Sequence, residues 1–300
     1  MKQKNKLYAV IRDRWQIYFL IAPFLILFAL MTVLPVLSSC VLSFFNFDMV
    51  SLPKFAGLDN YLRMFIQDDV FPVILKNTFV LAIITGPAGF LLSFVLAWMI
   101  NEFSPTVRTL LSFMFYVPSL VGNALYIWTI IFASDSYGYM NSFLLSAGLI
   151  TAPMQWFSNE TLIVPIVVII QLWMSMGVSF LSNISGLQNV NTELFEAGAV
   201  DGIKNRWQEL WYITLPSMKH MLLFSAVMQI ASAFSISNII TTLAGYPTVG
   251  CAADTIVSYL TDVGSVKYEM GYASALSVIL FAMMFGTRTL IVRLLKKVGQ

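Results

Sequence analysis

Six apolar runs divide this chain of 300 residues, at about 16–45, 77–100, 109–133, 161–185, 219–243 and 270–292. Each can cross the ~30 Å hydrocarbon core of a bilayer, which takes roughly 20 helical residues. Lipid offers no hydrogen bonds, so a spanning segment must satisfy its own N–H and C=O groups, and runs of this length do so as helices. Composition agrees: 58% of the residues are hydrophobic and 11% are charged, against about 25% charged in soluble domains. The expected fold class is an all-α integral membrane protein of six transmembrane helices. Its membrane domain covers 16–293, preceded by a segment 1–15 and followed by a tail 294–300.

Charged residues fall outside the apolar cores or at their edges, so nothing marks a proton relay or voltage sensor. Of the 17 Lys and Arg residues, only Lys54, Arg63, Lys76 and Lys267 lie on one side of the expected membrane. Basic residues collect on the cytoplasmic side, which places both termini there. The net charge of +2 is too small to argue for nucleic acid. A basic start, an apolar run and "LSSC" at 37–40 look like a lipoprotein signal. The 25 residues between Arg14 and Cys40 exceed the about 7 to 15 of such a region, so the first run reads as a span. Cys40 and Cys251 lack metal-ligand spacing and read as packing residues.

The loop 186–218, between the fourth and fifth runs, breaks the apolar pattern with "EAGAVDGIKNRWQELWYITLP" at 196–216. Asn191 or Thr192 can cap a short helix with Glu193 in its first turn. Ala197, Gly198 and Ala199 leave its backbone open to close approach, and Gly202 suits the left-handed turn that ends a helix. A second short helix from about Lys204 would put Trp207, Leu210 and Trp211 on one face before Pro216 opens the next span. Such a knob suits a groove on another protein better than water. A plain connector has the same amphipathic pattern, and only the motif's context decides between them.

Glu196, Ala197, Gly198, Gly202 and then Ile213, Thr214, Leu215 and Pro216 resemble the EAA signature of permease subunits of bacterial ABC importers. "FAGLDNY" at 55–61, "LKNTF" at 75–79, "GYMNSFL" at 138–144 and "PMQWFSNETLIVP" at 153–165 are similar to the outer loops of the maltose-type sugar permeases, and the chain resembles the first permease of the pair. The resemblance implies the type I importer permease fold and a coupling role for Glu196, Ala197, Gly198, Ala199, Asp201, Gly202, Leu215 and Pro216. It also implies a homologous second permease, two copies of a cytoplasmic ABC ATPase and an extracellular or periplasmic sugar-binding protein as partners, in a bacterial inner or plasma membrane. Ten residues separate Gly202 from Ile213, one more than is usual in that family. The extra residue is expected in the turn between the two short helices.

No Gly-Lys dipeptide occurs, so the phosphate-cradling loop is absent. ATP and Mg are therefore expected on the partner ATPase, with no cofactor, metal or catalytic residue on this chain. The single histidine, His220, reads as a membrane-surface residue. In the fourth run Gln171, Ser175, Ser179 and Ser182, and in the fifth Ser225, Gln229, Ser232 and Ser235, recur at helical spacing. Such stripes can line a wet path that hydrogen-bonds sugar hydroxyls, with Trp128 or Trp173 to stack on a sugar face. They can equally be interhelical packing. The path residues expected are Gln171, Ser175, Gln229, Ser232 and Ser235. The resulting reading is the permease of an importer for a sugar of oligosaccharide class. Alternatives are the same machine for another solute, such as glycerol phosphate or peptide, and an ion-coupled carrier. The segments 46–76, 134–160 and 244–269 are the expected docking surface for the binding protein.

Overall fold

Apolar runs become helices in the computed structural model, which describes residues 15–297 and side chains through 293. The expected N-terminal segment lies outside the described residues except for Trp15, and the tail is described only as backbone over 294–297. Two units divide the chain: Met1–Arg63 with Val263–Val278, and Met64–Asp262 with Ile279–Gln300.

In the first unit, α1 (Trp15–Leu42) is a 28-residue apolar helix in which no residue is buried. A two-stranded antiparallel ladder follows, β1 (Phe45–Asn46) with β2 (Lys54–Phe55), pairing Phe45 with Phe55. The "FAGLDNY" stretch folds back on it. Asn60 is buried and donates to the carbonyls of Ser43 and Phe45 at 2.9 and 3.0 Å, while the Tyr61 hydroxyl donates to Ser43 Oγ at 2.9 Å. Arg63 pairs with Glu269 at 2.6 Å and lies over the Tyr272 ring.

The second unit is built around α2 (Phe71–Asn101). Its buried residues, among them Thr78, Leu81, Thr85, Gly89, Ser93, Ala97 and Ile100, recur every three or four positions and so form one stripe. That stripe packs against α7 (Val178–Gln188) and against α10 (Lys219–Ala244). Gly89 permits the closest approach, since a side chain there would collide with the amide of Gln229. Between α2 and α7 come α3 (Pro105–Leu120), α4 (Tyr126–Ile131), α5 (Tyr139–Ser146) and α6 (Glu160–Met174). After α7 follow α8 (Thr192–Val200), α9 (Arg206–Glu209) and, past α10, α11 (Ile256–Ser265) and α12 (Met270–Lys297), of which 263–265 and 270–278 belong to the first unit.

Among the described residues four helices, α1, α2, α10 and α12, are long and apolar enough to cross a membrane, and a fifth if α6 and α7 form one bent span. Two of the expected runs are therefore broken. The run 109–133 is divided where Val121 takes extended backbone and Gly122 follows, separating α3 from α4. The run 161–185 bends by 42° between α6 and α7, at Gly177, whose φ of −101° and ψ of −126° lie outside the helical region.

Candidate functional site

The loop after α7 carries most of the singled-out residues. Asn191 caps α8 by accepting from the Glu193 N–H at 3.1 Å, which satisfies one of the free donors of the first turn. At its end Gly202 has φ +91°, and the Ile203 N–H reaches back to the Gly198 carbonyl at 2.9 Å, a bond that ties off the last turn. Gly198 is buried: a Cβ there would lie 2.7 Å from Ile213 Cδ1 and 3.0 Å from Ile203 Cδ1. Glu196, Ala197, Ala199, Asp201 and Gly202 are exposed. One face of α8 thus seals onto the loop's own apolar residues, and the opposite face presents small and acidic groups outward.

Asn205 caps α9, accepting from the Gln208 N–H at 2.9 Å. The chain then widens into a π-helical turn, Leu210–Thr214, before the half-buried Leu215 and the exposed Pro216. A π turn takes up one residue more than an α turn. Leu210 is buried, Trp211 is 61% exposed, and Trp207 rests on Trp98 with ring centroids 5.3 Å apart. The single apolar face expected of these three residues is split accordingly.

Arg206 joins this loop to the end of α2. Its guanidinium bonds Glu102 at 2.6 Å and Glu209 at 2.8 Å. The hydrogen bond to Glu209 foremost, with the charge of Glu102 beside it, holds the group above its ordinary pKa. Beneath it opens a cleft of about 570 Å³ lined by Trp98, Glu102, Arg108, Phe195 and Arg206 among others. His220 is exposed at the start of α10.

The polar stripes lie mostly inward. Gln171 is buried and donates to Ser232 Oγ at 3.0 Å. Gln229 is buried and accepts from Ser179 Oγ at 3.1 Å. Ser175 and Ser225 are buried as well. Ser232 is half-buried and Ser235 exposed. The glutamines therefore seam the fourth and fifth runs together, while the stripe reaches the surface only through Ser232 and Ser235. Trp128 and Trp173 meet edge to face, 5.4 Å apart.

At the other end of α2 the segment 244–262 folds inward. Asp254 is 1% exposed and accepts the Thr248 N–H on both carboxylate oxygens, at 3.3 and 3.1 Å. Burial pushes its carboxyl above the ordinary range against these bonds, which pull it down. Asn77 of α2 donates to the carbonyls of Cys251, at 2.7 Å, and Asp254, and the Ile256 N–H donates to Thr78 Oγ1 at 2.9 Å. Both Cys40 and Cys251 carry free thiols. Among the described residues no group of three or more His, Cys, Asp and Glu could hold a metal. Trp98, Glu102 and Asp254 carry no sequence signal of their own, and Asn77 enters the sequence reading only as part of "LKNTF". Glu102 and Arg206 are 104 positions apart, and no local pattern marks such a pair.

Residues 89–299 match the model of the family described as binding-protein-dependent transport system inner membrane component. Over 276 residues, 89% of this chain and 85% of the relative, the sequence is 35% identical to the probable ABC transporter permease protein YesP of Bacillus subtilis (strain 168). It is 29% identical over 269 residues, 88% of this chain and 83% of the relative, to the arabinooligosaccharides transport system permease protein AraP of the same organism. The fold is similar to a chain in the crystal structure of a bacterial ABC transporter involved in the import of the acidic polysaccharide alginate. The TM-score is 0.80 at 22% identity, covering 98% of this chain and all of that one.

Proposed function

Because the chain belongs to the family of inner membrane components of binding-protein-dependent transport systems, we propose that it is the permease of an ATP-driven importer of an oligosaccharide. Such a component is a multi-pass membrane transport subunit, not an enzyme. The observation that carries the reading is the loop 191–218, whose α8 turns Glu196, Ala197 and Ala199 outward and stops on Gly202. In this reading α8 docks on a cytoplasmic ATPase that holds ATP and Mg, and both termini are cytoplasmic. A homologous second permease and a second ATPase complete the machine, and a sugar-binding protein delivers the solute. The names of the relatives, among them an arabinooligosaccharide permease, support a sugar. Six spans follow if α3 with α4 and α6 with α7 each cross once. The unburied α1 then has the second permease or lipid as its neighbour.

ATP binding closes the ATPases, moves the loops and turns the cavity outward, so alternating access is driven from α8. The path runs along the fourth and fifth runs, with Ser232 and Ser235 nearest to it and Gln171, Ser175 and Gln229 behind them. A bifunctional crosslink from Ala199→Cys, in a background with Cys40 and Cys251 replaced by Ser, should reach an ATPase subunit in the intact complex. Gly202→Val should leave the permease pair in the membrane and abolish uptake, since a Cβ in a left-handed turn costs roughly 1 to 2 kcal/mol and re-aims α9. Full transport by Gly202→Val, or an Ala199 crosslink that never finds the ATPase, would overturn the reading.

A further inference from the structure

Covalent continuity carries motion of the loop 191–218 directly into the helices that flank it, α7 and α10. The helix α2 shares no such junction with the loop, yet it is gripped at both of its ends. At one end Glu102 bonds Arg206 at 2.6 Å and Trp98 lies against Trp207, so two side chains at the base of α2 hold the loop's second helix. At the other end Asn77 holds the carbonyls of Cys251 and Asp254, and Thr78 takes the Ile256 N–H. Between Asn77 and Trp98 the helix is unbroken and spans about 32 Å at 1.5 Å per residue.

We infer that α2 is a transmission rod: Glu102 and Trp98 are positioning residues that pass movement of the coupling loop to the segment 244–262, through Asn77 and Thr78. The inference rests on the coupling reading of the loop and adds to it a second route to the opposite surface, beside α10. That helix also joins the loop to the segment 244–262 but is interrupted at Ser235 and Ile236, whereas α2 is continuous. An exposed ion pair contributes little stability, about 0 to 1 kcal/mol, and Arg206 is 62% exposed in its side chain. Its value here is register. The pair fixes where α9 meets α2, and the Trp98–Trp207 contact keeps the two helices from sliding past each other. Asp254 makes the far grip stiff, because its carboxylate pins the backbone of Thr248 in the same segment that Asn77 holds. A push on one end of a continuous helix clamped at both ends moves the other.

The test uses the complete transporter in proteoliposomes, with ATP and Mg as the probe and no sugar. In the background lacking Cys40 and Cys251 thiols, spin labels are placed at Lys204→Cys on the loop or at Val249→Cys on the far segment. ATP should change the spectra at both positions. Glu102→Arg and Arg206→Glu should each keep the change at 204 and reduce that at 249 about fivefold or more, the lower end of common coupling strengths. The exchanged pair Glu102→Arg with Arg206→Glu should restore it, which a variant that had merely lost its fold could not do. Asn77→Ala should also silence 249 and should not be rescued by the exchange. An unchanged response at 249 in both single reversals, or a complete complex with the exchanged pair still silent there, would overturn the rod. If ATP changed neither position in the unmodified chain, the coupling reading beneath it would fall first.

Discussion

The loop 191–218 and the segment 244–262 are both short connections at the ends of α10, and they spend their polar groups in opposite ways. In the loop, Glu196 and Asp201 point away from the molecule, Gly198 packs against Ile203 and Ile213, and the ion pairs of Arg206 with Glu102 and Glu209 lie at its exposed surface. In the segment, Asp254, Thr248, Thr255 and Ser258 are buried and bond within it, as when the Thr255 N–H donates to Ser258 Oγ at 2.9 Å. A connection that leaves its charges outward can be completed by another protein. One that turns its charge inward has already been completed by itself. The first suits the docking proposed for it, and the second is held stiff by its own bonds.

Substitutions can break that contrast. Gly198→Val should have the largest effect, about 3 kcal/mol at the upper end of overpacking costs, because its methyls enter the space of Ile213 and Ile203. Thermal unfolding of the purified complex should report it as a lower midpoint. If the midpoint is unmoved, the loop is not held from within. Asp254→Leu should cost about 2 kcal/mol, leaving the buried Thr248 N–H without an acceptor. A neutral result would mean that the segment is not held by its own carboxylate. Asn205→Ala should cost roughly 1 kcal/mol through loss of the α9 cap, measurable as faster hydrogen exchange over 206–210. The smallest change in stability, within about 0.5 kcal/mol, is expected for Glu196→Gln, as for other exposed positions. Under the proposed docking of α8, uptake should nonetheless drop by a few fold, since the charge-assisted hydrogen bond proposed between Glu196 and the ATPase would lose its charge. An Asp254→Leu variant that unfolds no earlier than Glu196→Gln would erase the comparison.

The helices were legible because long apolar runs have one solution in lipid. The end of α8 was legible because glycine at 202 fits a positive φ that other residues avoid. The breaks after α3 and α6 were not, since each run averages apolar enough to span despite Pro118, Gly122 and Asn123 beside Val121 and the serines beside Gly177, and hydropathy has no term for direction. The polar stripes gave their spacing but not their facing: a serine every four residues looks alike whether it meets water or a glutamine from the next helix. Only neighbours distant in sequence decide that. Ser232 is claimed by Gln171, and Ser179 by Gln229. The grip of Glu102 on Arg206 lies beyond local reading for the same reason.

None of the 28 residues of α1 is buried, which separates two things that usually come together in a folded chain. Packing inside a protein ties the identity of each side chain to the shapes around it. Solvation by acyl chains asks only for length and oiliness. Wherever lipid is its neighbour, α1 is therefore written in a degenerate alphabet in which Leu, Ile, Phe and Val are near synonyms. The text of α2, read against two helices at once, has no such freedom at Gly89.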